Sequence, residues 1–177
     1  MRRCLRAAAF LVICASVSGV GAAAPAVAPE FTHRQASEWI NSPPLTLAGL
    51  RGKVVLVEFW TFDCINCRRT LPWLAAMHER YRDDGLVIVS VHTPEFERER
   101  DPANVQAAVR QLEIAHPVMI DNDFSYWKAL GNRYWPAFYL IGRSGRIEAT
   151  EIGELHLREA RGRRFEASIA SLLDTRQ

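Results

Sequence analysis

The apolar positions along the chain follow two rhythms. Continuous apolar runs closed by turn residues occur at Val54–Trp60 (VVLVEFW), 86–91 (LVIVSV), 117–121 (PVMID) and Ala137–Ile141 (AFYLI). Short runs rich in β-branched residues predict strands buried on both faces. Between them the spacing turns helical. Leu71, Leu74, Met77 and Tyr81 mark a helix that carries Cys67, is kinked by Pro72 and is closed by Asp83-Asp84-Gly85. Asp101 caps a second helix, with Pro102 at its first position, running to about Leu112. A third helix covers 124–130, a hairpin turns through 142–145 into a strand at 146–152, and Phe165, Ile169 and Leu172 line one face of a final helix. Residues 29–42 read as a peripheral segment with a short helix at 35–40, and the charge run ERER at 97–100 reads as solvated. Strands joined through helices pair in parallel with right-handed crossovers. The order therefore predicts an α/β fold, a three-layer α/β/α sandwich around a mixed central sheet.

The first 28 residues break this pattern. Arg2, Arg3 and Arg6 precede an apolar run from Ala7 to about Val20, and small residues follow to Ala28. That is the make-up of a secretory signal peptide, and the run is too short and too alanine-rich for a membrane span. We read 1–23 as the leader, with retention as an N-terminal anchor as the alternative, 24–43 as an extension, 44–173 as the folded domain and 174–177 as a tail. With 49% hydrophobic and 24% charged residues in 177, the composition is that of one globular domain. Loss of the leader takes the formal charge from +2 to −1, so no basic surplus points to nucleic acid or to an anionic surface. It also removes Cys4 and Cys14. The exported chain keeps Cys64 and Cys67 alone.

Cys64-Ile-Asn-Cys67 admits three readings. A structural zinc site needs four ligands, whereas the five histidines, His33, His78, His92, His116 and His156, are scattered singly around one cysteine pair. A structural disulfide stabilises mainly by closing a long loop, and two intervening residues close almost nothing. A redox pair accounts for both spacing and placement. At a strand-to-helix junction the first thiol faces unpaired N–H groups and the positive end of the helix dipole, which favour its thiolate. The second, one turn along, can resolve a mixed disulfide without a large movement.

The strand VVLVEFW, then TFDCINC, then Pro72 eight residues after Cys64, resembles the thioredoxin superfamily, whose motif is W-x-x-x-C-x-x-C with a helix-kinking proline at that offset. With GLRGKVVLVEFW, GLVIVSVHTPEFE and HPVMIDNDFSYWKALGNRYWPAFYLI, the chain over about 44–173 resembles the TlpA-type exported thioredoxin-like proteins, and among them the soluble domain of the DipZ type. ERERDPANVQAAVRQLEIAHP resembles the helical insertion of the TlpA type. The resemblance implies an exported, periplasmic or extracytoplasmic, thiol-disulfide oxidoreductase acting on protein disulfides, with no cofactor beyond the Cys64–Cys67 disulfide. It implies electrons from a membrane carrier of the CcdA type on a separate polypeptide. It also implies a cis bond before Pro136, where the neighbouring backbone pairs with an extended substrate segment. Finally it implies a buried acid at Glu58, six residues before Cys64, able to take the proton of Cys67. Strand alternation leaves Glu58 a second possibility, a place in a polar network.

Trp60 and Trp135 are candidate walls of the substrate site. Asn66, between the cysteines, is a candidate for setting the thiol environment, and Glu95 in HTPEF is a candidate acid near the pair or a cap on its loop. No histidine lies between the cysteines, and Arg68 and Arg69 read as solvated, so a reducing pair is favoured over a strongly oxidising one. Two other functions stay open. Thr61, three residues before Cys64, fits the T-x-x-C pattern of a thiol peroxidase, although Val57 stands where that pattern has proline. A non-enzymatic binding module on the same scaffold is the other.

Overall fold

The computed structural model describes residues 26–175. The leader read at 1–23 lies outside the described residues. In chain order the elements are β1 (Trp39–Ile40), β2 (Val54–Trp60), α1 (Ile65–Tyr81), β3 (Leu86–His92), α2 (Pro102–Gln111), β4 (Val118–Ile120), α3 (Ser125–Ala129), β5 (Ala137–Ile141), β6 (Ile147–Ile152) and α4 (Ala160–Asp174). The six strands form one sheet in the order β1-β4-β3-β2-β5-β6. β2, β3 and β4 run parallel, joined through α1 and α2, and the other three strands pair antiparallel, so the sheet is mixed as the pattern predicts.

The two faces of β2 show how the layers arise. Alternate side chains of a strand point to opposite faces. Val55, Val57 and Phe59 pack with Phe31, Leu47 and Tyr126, so the N-terminal segment and α3 cover that face. Val54 and Leu56 pack with Trp73, Leu74 and Met77 of α1 and with Phe165 and Ile169 of α4. Trp60 packs with Cys67 and with Val105 and Val109 of α2. β2 is buried along its whole length, which explains a continuous apolar run with a single acid, whereas β6 at the sheet edge alternates between half-buried and exposed positions. Asp101 caps α2 through its bond from the Ala103 amide, with Pro102 in the first turn, and α1 continues through Pro72. Among the described residues no helix is long and apolar enough to cross a membrane.

The segment 29–42 departs from its expected peripheral place. Ala36–Glu38 forms a single 3-10 turn rather than a helix over 35–40, and Trp39 and Ile40 pair with Met119 and Val118. Phe31 and Trp39 are buried in the core. The cause is tertiary: β4 would otherwise be an open sheet edge, and the bond between His33 and Asp121 at 2.9 Å ties the segment down beside it.

Candidate active site

Cys64 is the N-cap of α1. Its Sγ accepts a hydrogen bond from the Cys67 amide at 3.2 Å, and the two residues are joined as a disulfide with Cα atoms 5.3 Å apart. Cys64 is half-buried and Cys67 fully buried. When the bond is reduced, the free amides of the first turn favour a thiolate at Cys64. Burial disfavours one at Cys67, which therefore needs a base.

Glu58 is the buried acid of the strand beneath this helix. It shares its face of β2 with Val54, Leu56 and Trp60, the face covered by α1. The side chain is fully buried, Oε2 accepts from Ser90 Oγ at 2.5 Å, and Oε1 has no partner. Burial pushes its pKa up from 4.5 to about 8, against a smaller lowering by the Ser90 bond. The acid is dry, and it sits in a polar network.

The loop ahead of Cys64 is held by a residue that the sequence reading passed over. Glu99, from the ERER run expected to be solvated, is fully buried. Its carboxylate accepts the amides of Asp63 (3.1 Å), Glu95 (2.6 Å) and Phe96 (2.8 Å). Burial alone would raise its pKa, but the Thr61 hydroxyl and these amides outweigh it and hold the carboxyl below the usual range. Charge alternation in the sequence carries no sign of which acid turns inward. Beneath the same loop His92 is buried, with Phe62 stacked on its ring at 5.5 Å and Trp60 edge-on at 5.2 Å. Burial lowers its pKa to about 4.

The other candidates separate into those near the pair and those away from it. Trp60 is fully buried, so it supports Cys67 from below rather than forming an exposed wall. Trp135 is half-buried, packs against the same cluster as both cysteines and donates from Nε1 to the Thr93 carbonyl at 3.1 Å. The bond from Trp135 to Pro136 is cis. Asn66 is exposed, and its carbonyl accepts from Thr70 Oγ1. Glu95 is exposed and contributes its amide to Glu99, so the buried acid of this loop is Glu99 and not Glu95. Beside Cys64 a cavity of about 370 Å³ is lined by Phe62, Asp63, Arg68, Arg98 and Leu112 among others, with Arg98 paired to Asp63 at 2.5 Å.

Two of the histidine pairings contradict their scattered appearance in sequence. The rings of His78 and His116 meet at a tilt, 5.8 Å apart, and His33 bonds Asp121 and, through Nδ1, Glu38 at 3.0 Å. His33, Asp121 and Asp123 bring ligand-type atoms within 4.8 Å of one another. The bond to Asp121 leads the contacts that raise the His33 pKa to about 9, so the imidazolium is held between Asp121 and Glu38.

The sequence pattern of the AhpC/TSA family matches residues 24–150. The chain belongs to that family. Over 119 residues it is 43% identical to protein DipZ of Mycobacterium tuberculosis, a match that covers 66% of this chain and 17% of DipZ. Over 125 residues it is 28% identical to the thiol-disulfide oxidoreductase YkuV of Bacillus subtilis, covering 71% of this chain and 82% of that protein. Among solved structures, a thioredoxin-like superfamily protein aligns with a TM-score of 0.74 at 27% identity, over 85% of this chain and 98% of its own. A member of this family with a C-x-x-C pair at the head of α1 has the thioredoxin-like fold expected from the sequence.

Proposed function

We propose that the protein is an exported thiol-disulfide oxidoreductase that reduces protein disulfides. The observation that carries this reading is the asymmetric pair: a half-buried Cys64 capping α1, and a fully buried Cys67 on the helix that covers the face of β2 bearing Glu58. The Cys64 thiolate attacks a client disulfide; the client S–S bond breaks as the mixed disulfide forms, and one client sulfur leaves as a thiolate that takes a proton from water. Cys67 gives its proton to Glu58 and attacks Cys64 Sγ; the mixed disulfide breaks, and the second client sulfur leaves with the electron pair and takes a proton from water. The two sulfurs are the only redox group the reaction requires. Exposed Ile65 and Tyr134, next in sequence to Cys64 and to Trp135-Pro136, offer apolar contacts to a polypeptide client. A dithiol carrier in the membrane, of the CcdA type, returns the electrons, and residues 1–23 direct the chain out of the cytoplasm.

The peroxidase reading is weakened by Thr61. Its Oγ1 is buried, bonded to Glu99 and 3.4 Å from His92 Nε2, rather than free to orient a peroxide.

The test is trapping. Cys67→Ser accumulates a mixed disulfide with a peptide disulfide, Cys64→Ser forms none, and the wild-type pair equilibrates at or below about −250 mV. Peroxide turnover without disulfide reduction would overturn the reading, and a potential of about −120 to −180 mV would reverse its direction.

A further inference from the structure

Reduction by this site releases a proton into a closed space. Cys67, Trp60 and Glu58 are all fully buried. From Glu58, however, a line of polar atoms leads away. Ser90 is the register partner of Glu58 on the neighbouring strand. Its Oγ lies 2.5 Å from Glu58 Oε2 and 2.7 Å from His116 Nε2, and Ser90 and His116 are themselves buried. The His116 ring lies 5.8 Å from that of His78 on α1, and both line a cavity of about 270 Å³ between α1 and the chain entering β4. Exposed Glu79 lines the same cavity, so it meets solvent.

We propose that Ser90 and His116 relay protons between Glu58 and the cavity beside His78, so that the buried acid exchanges its proton with solvent from the side rather than through the cysteine mouth. This rests on the oxidoreductase reading. Ser90 and His116 act through Glu58 and are positioning residues. In the dithiol state Glu58 is protonated, donates to Ser90, and Ser90 donates to Nε2 of neutral His116. As Cys67 reacts, the carboxyl proton passes to Ser90, the Ser90 proton passes to Nε2, and the Nδ1 proton leaves to cavity water. The carboxylate then takes the Cys67 proton on Oε1, the oxygen without a partner. When a donor dithiol reduces the disulfide, Cys67 recovers its proton from Oε1. A water proton enters at Nδ1 and the three groups return to their first polarity. One proton leaves and one enters per cycle, so the relay resets itself.

The groups around the relay are few. Cys67 is on α1, the helix covering the face of β2 that bears Glu58, and His78, Glu79, Arg82 and Glu113 surround the His116 end. Burial, then the neighbouring His78, keeps His116 neutral, its pKa lowered to about 3. A neutral imidazole passes a proton on without storing it.

The experiment is single-turnover reduction of a peptide disulfide by the reduced protein between pH 6 and 9.5, with formation of the mixed disulfide followed separately in a Cys67→Ser background. Ser90→Ala and His116→Ala slow the Cys67 step about tenfold at pH 7 and not at pH 9.5, where Glu58 is already ionised and needs no emptying. Mixed-disulfide formation keeps its wild-type rate. Added imidazole restores His116→Ala but not Ser90→Ala, and Ser90→Thr, which keeps the hydroxyl, behaves as wild type. His116→Gln replaces His116→Ala where the latter does not fold. Variants that match wild type at every pH, or a deficit that is independent of pH and unmoved by imidazole, overturn the relay. A wild-type protein that reduces no disulfide overturns instead the functional reading on which it rests.

Discussion

The carboxylate of Glu99 holds the amide of Asp63 at 3.1 Å, across 36 residues of chain and one position ahead of Cys64. The segment between β3 and α2 is thereby fastened to the loop that presents the reactive thiol. Glu99→Ala leaves the Asp63, Glu95 and Phe96 amides without this acceptor, and we expect a loss of about 2–4 kcal/mol in urea unfolding. Glu99→Gln keeps an acceptor oxygen and loses less. Amide exchange at Asp63 reports the same change locally: it accelerates in Glu99→Ala, and an unchanged rate would mean that the loop is held by something else.

Glu58→Gln removes the base while keeping the shape of the side chain. The Cys67 step slows roughly 10–100-fold near neutral pH, with mixed-disulfide formation by Cys64 unaffected. Stability moves the other way. A carboxyl raised from 4.5 to about 8 binds more protons in the folded state between those values, so its contribution is present below pH 4.5 and is lost as pH rises through 8. Glu58→Gln is therefore more stable than wild type at pH 9, and the two converge toward pH 5. A chemical-denaturation series over pH checks the sign.

His33 and Asp121 form the buried tie of the N-terminal segment, with Asp121 also accepting the Tyr126 and Trp127 amides at 3.0 Å. With its pKa raised from 6.5 to about 9, His33 stabilises fully below pH 6.5 and loses that contribution as pH rises through 9. His33→Ala costs about 2–3 kcal/mol at pH 6, and the deficit shrinks by pH 10. A deficit that is constant over this range would show that the charge on His33 is not what matters.

Acid acts through other histidines. His92 and His116 are held neutral by burial, with pKa values lowered to about 4 and about 3, so their contribution is lost as pH falls below 6.5. With Glu58 and His33 falling off on the alkaline side, stability peaks at about pH 6. Melting temperatures across the range locate the maximum, and a peak above pH 8 would contradict these assignments.

Gly162→Ala tests packing against propensity. In an exposed helix this change gains about 1 kcal/mol. In α4 the new Cβ would collide with the carbonyl oxygen of His156, a backbone atom that cannot swing aside. We expect Gly162→Ala to lower the melting temperature, and a gain would mean that the 156–159 turn yields.

The strands β2, β3 and β5, the helix that carries Cys67 and the redox character of the pair were legible in the sequence because each depends on neighbours along the chain. A continuous apolar run marks a strand buried on both faces, helical spacing marks α1, and two thiols one turn apart at its head can exchange a disulfide wherever the fold places them. The acid at Glu58 was visible through the family resemblance, by its place six residues before Cys64. What only the tertiary structure decided depends on contacts that sequence spacing does not encode. Trp39 and Ile40 read as a helix end and became a strand, because an unpaired edge at β4 offers backbone bonds that local preference cannot match. Glu99 looked like its solvated neighbours until the distant Asp63 amide and two amides of its own loop claimed its carboxylate. Ser90 and His116, 26 residues apart, carried no motif at all. A buried polar side chain is stable only with its partners, and those partners are chosen by the packing of the sheet and its helices, not by the residues beside it in the chain.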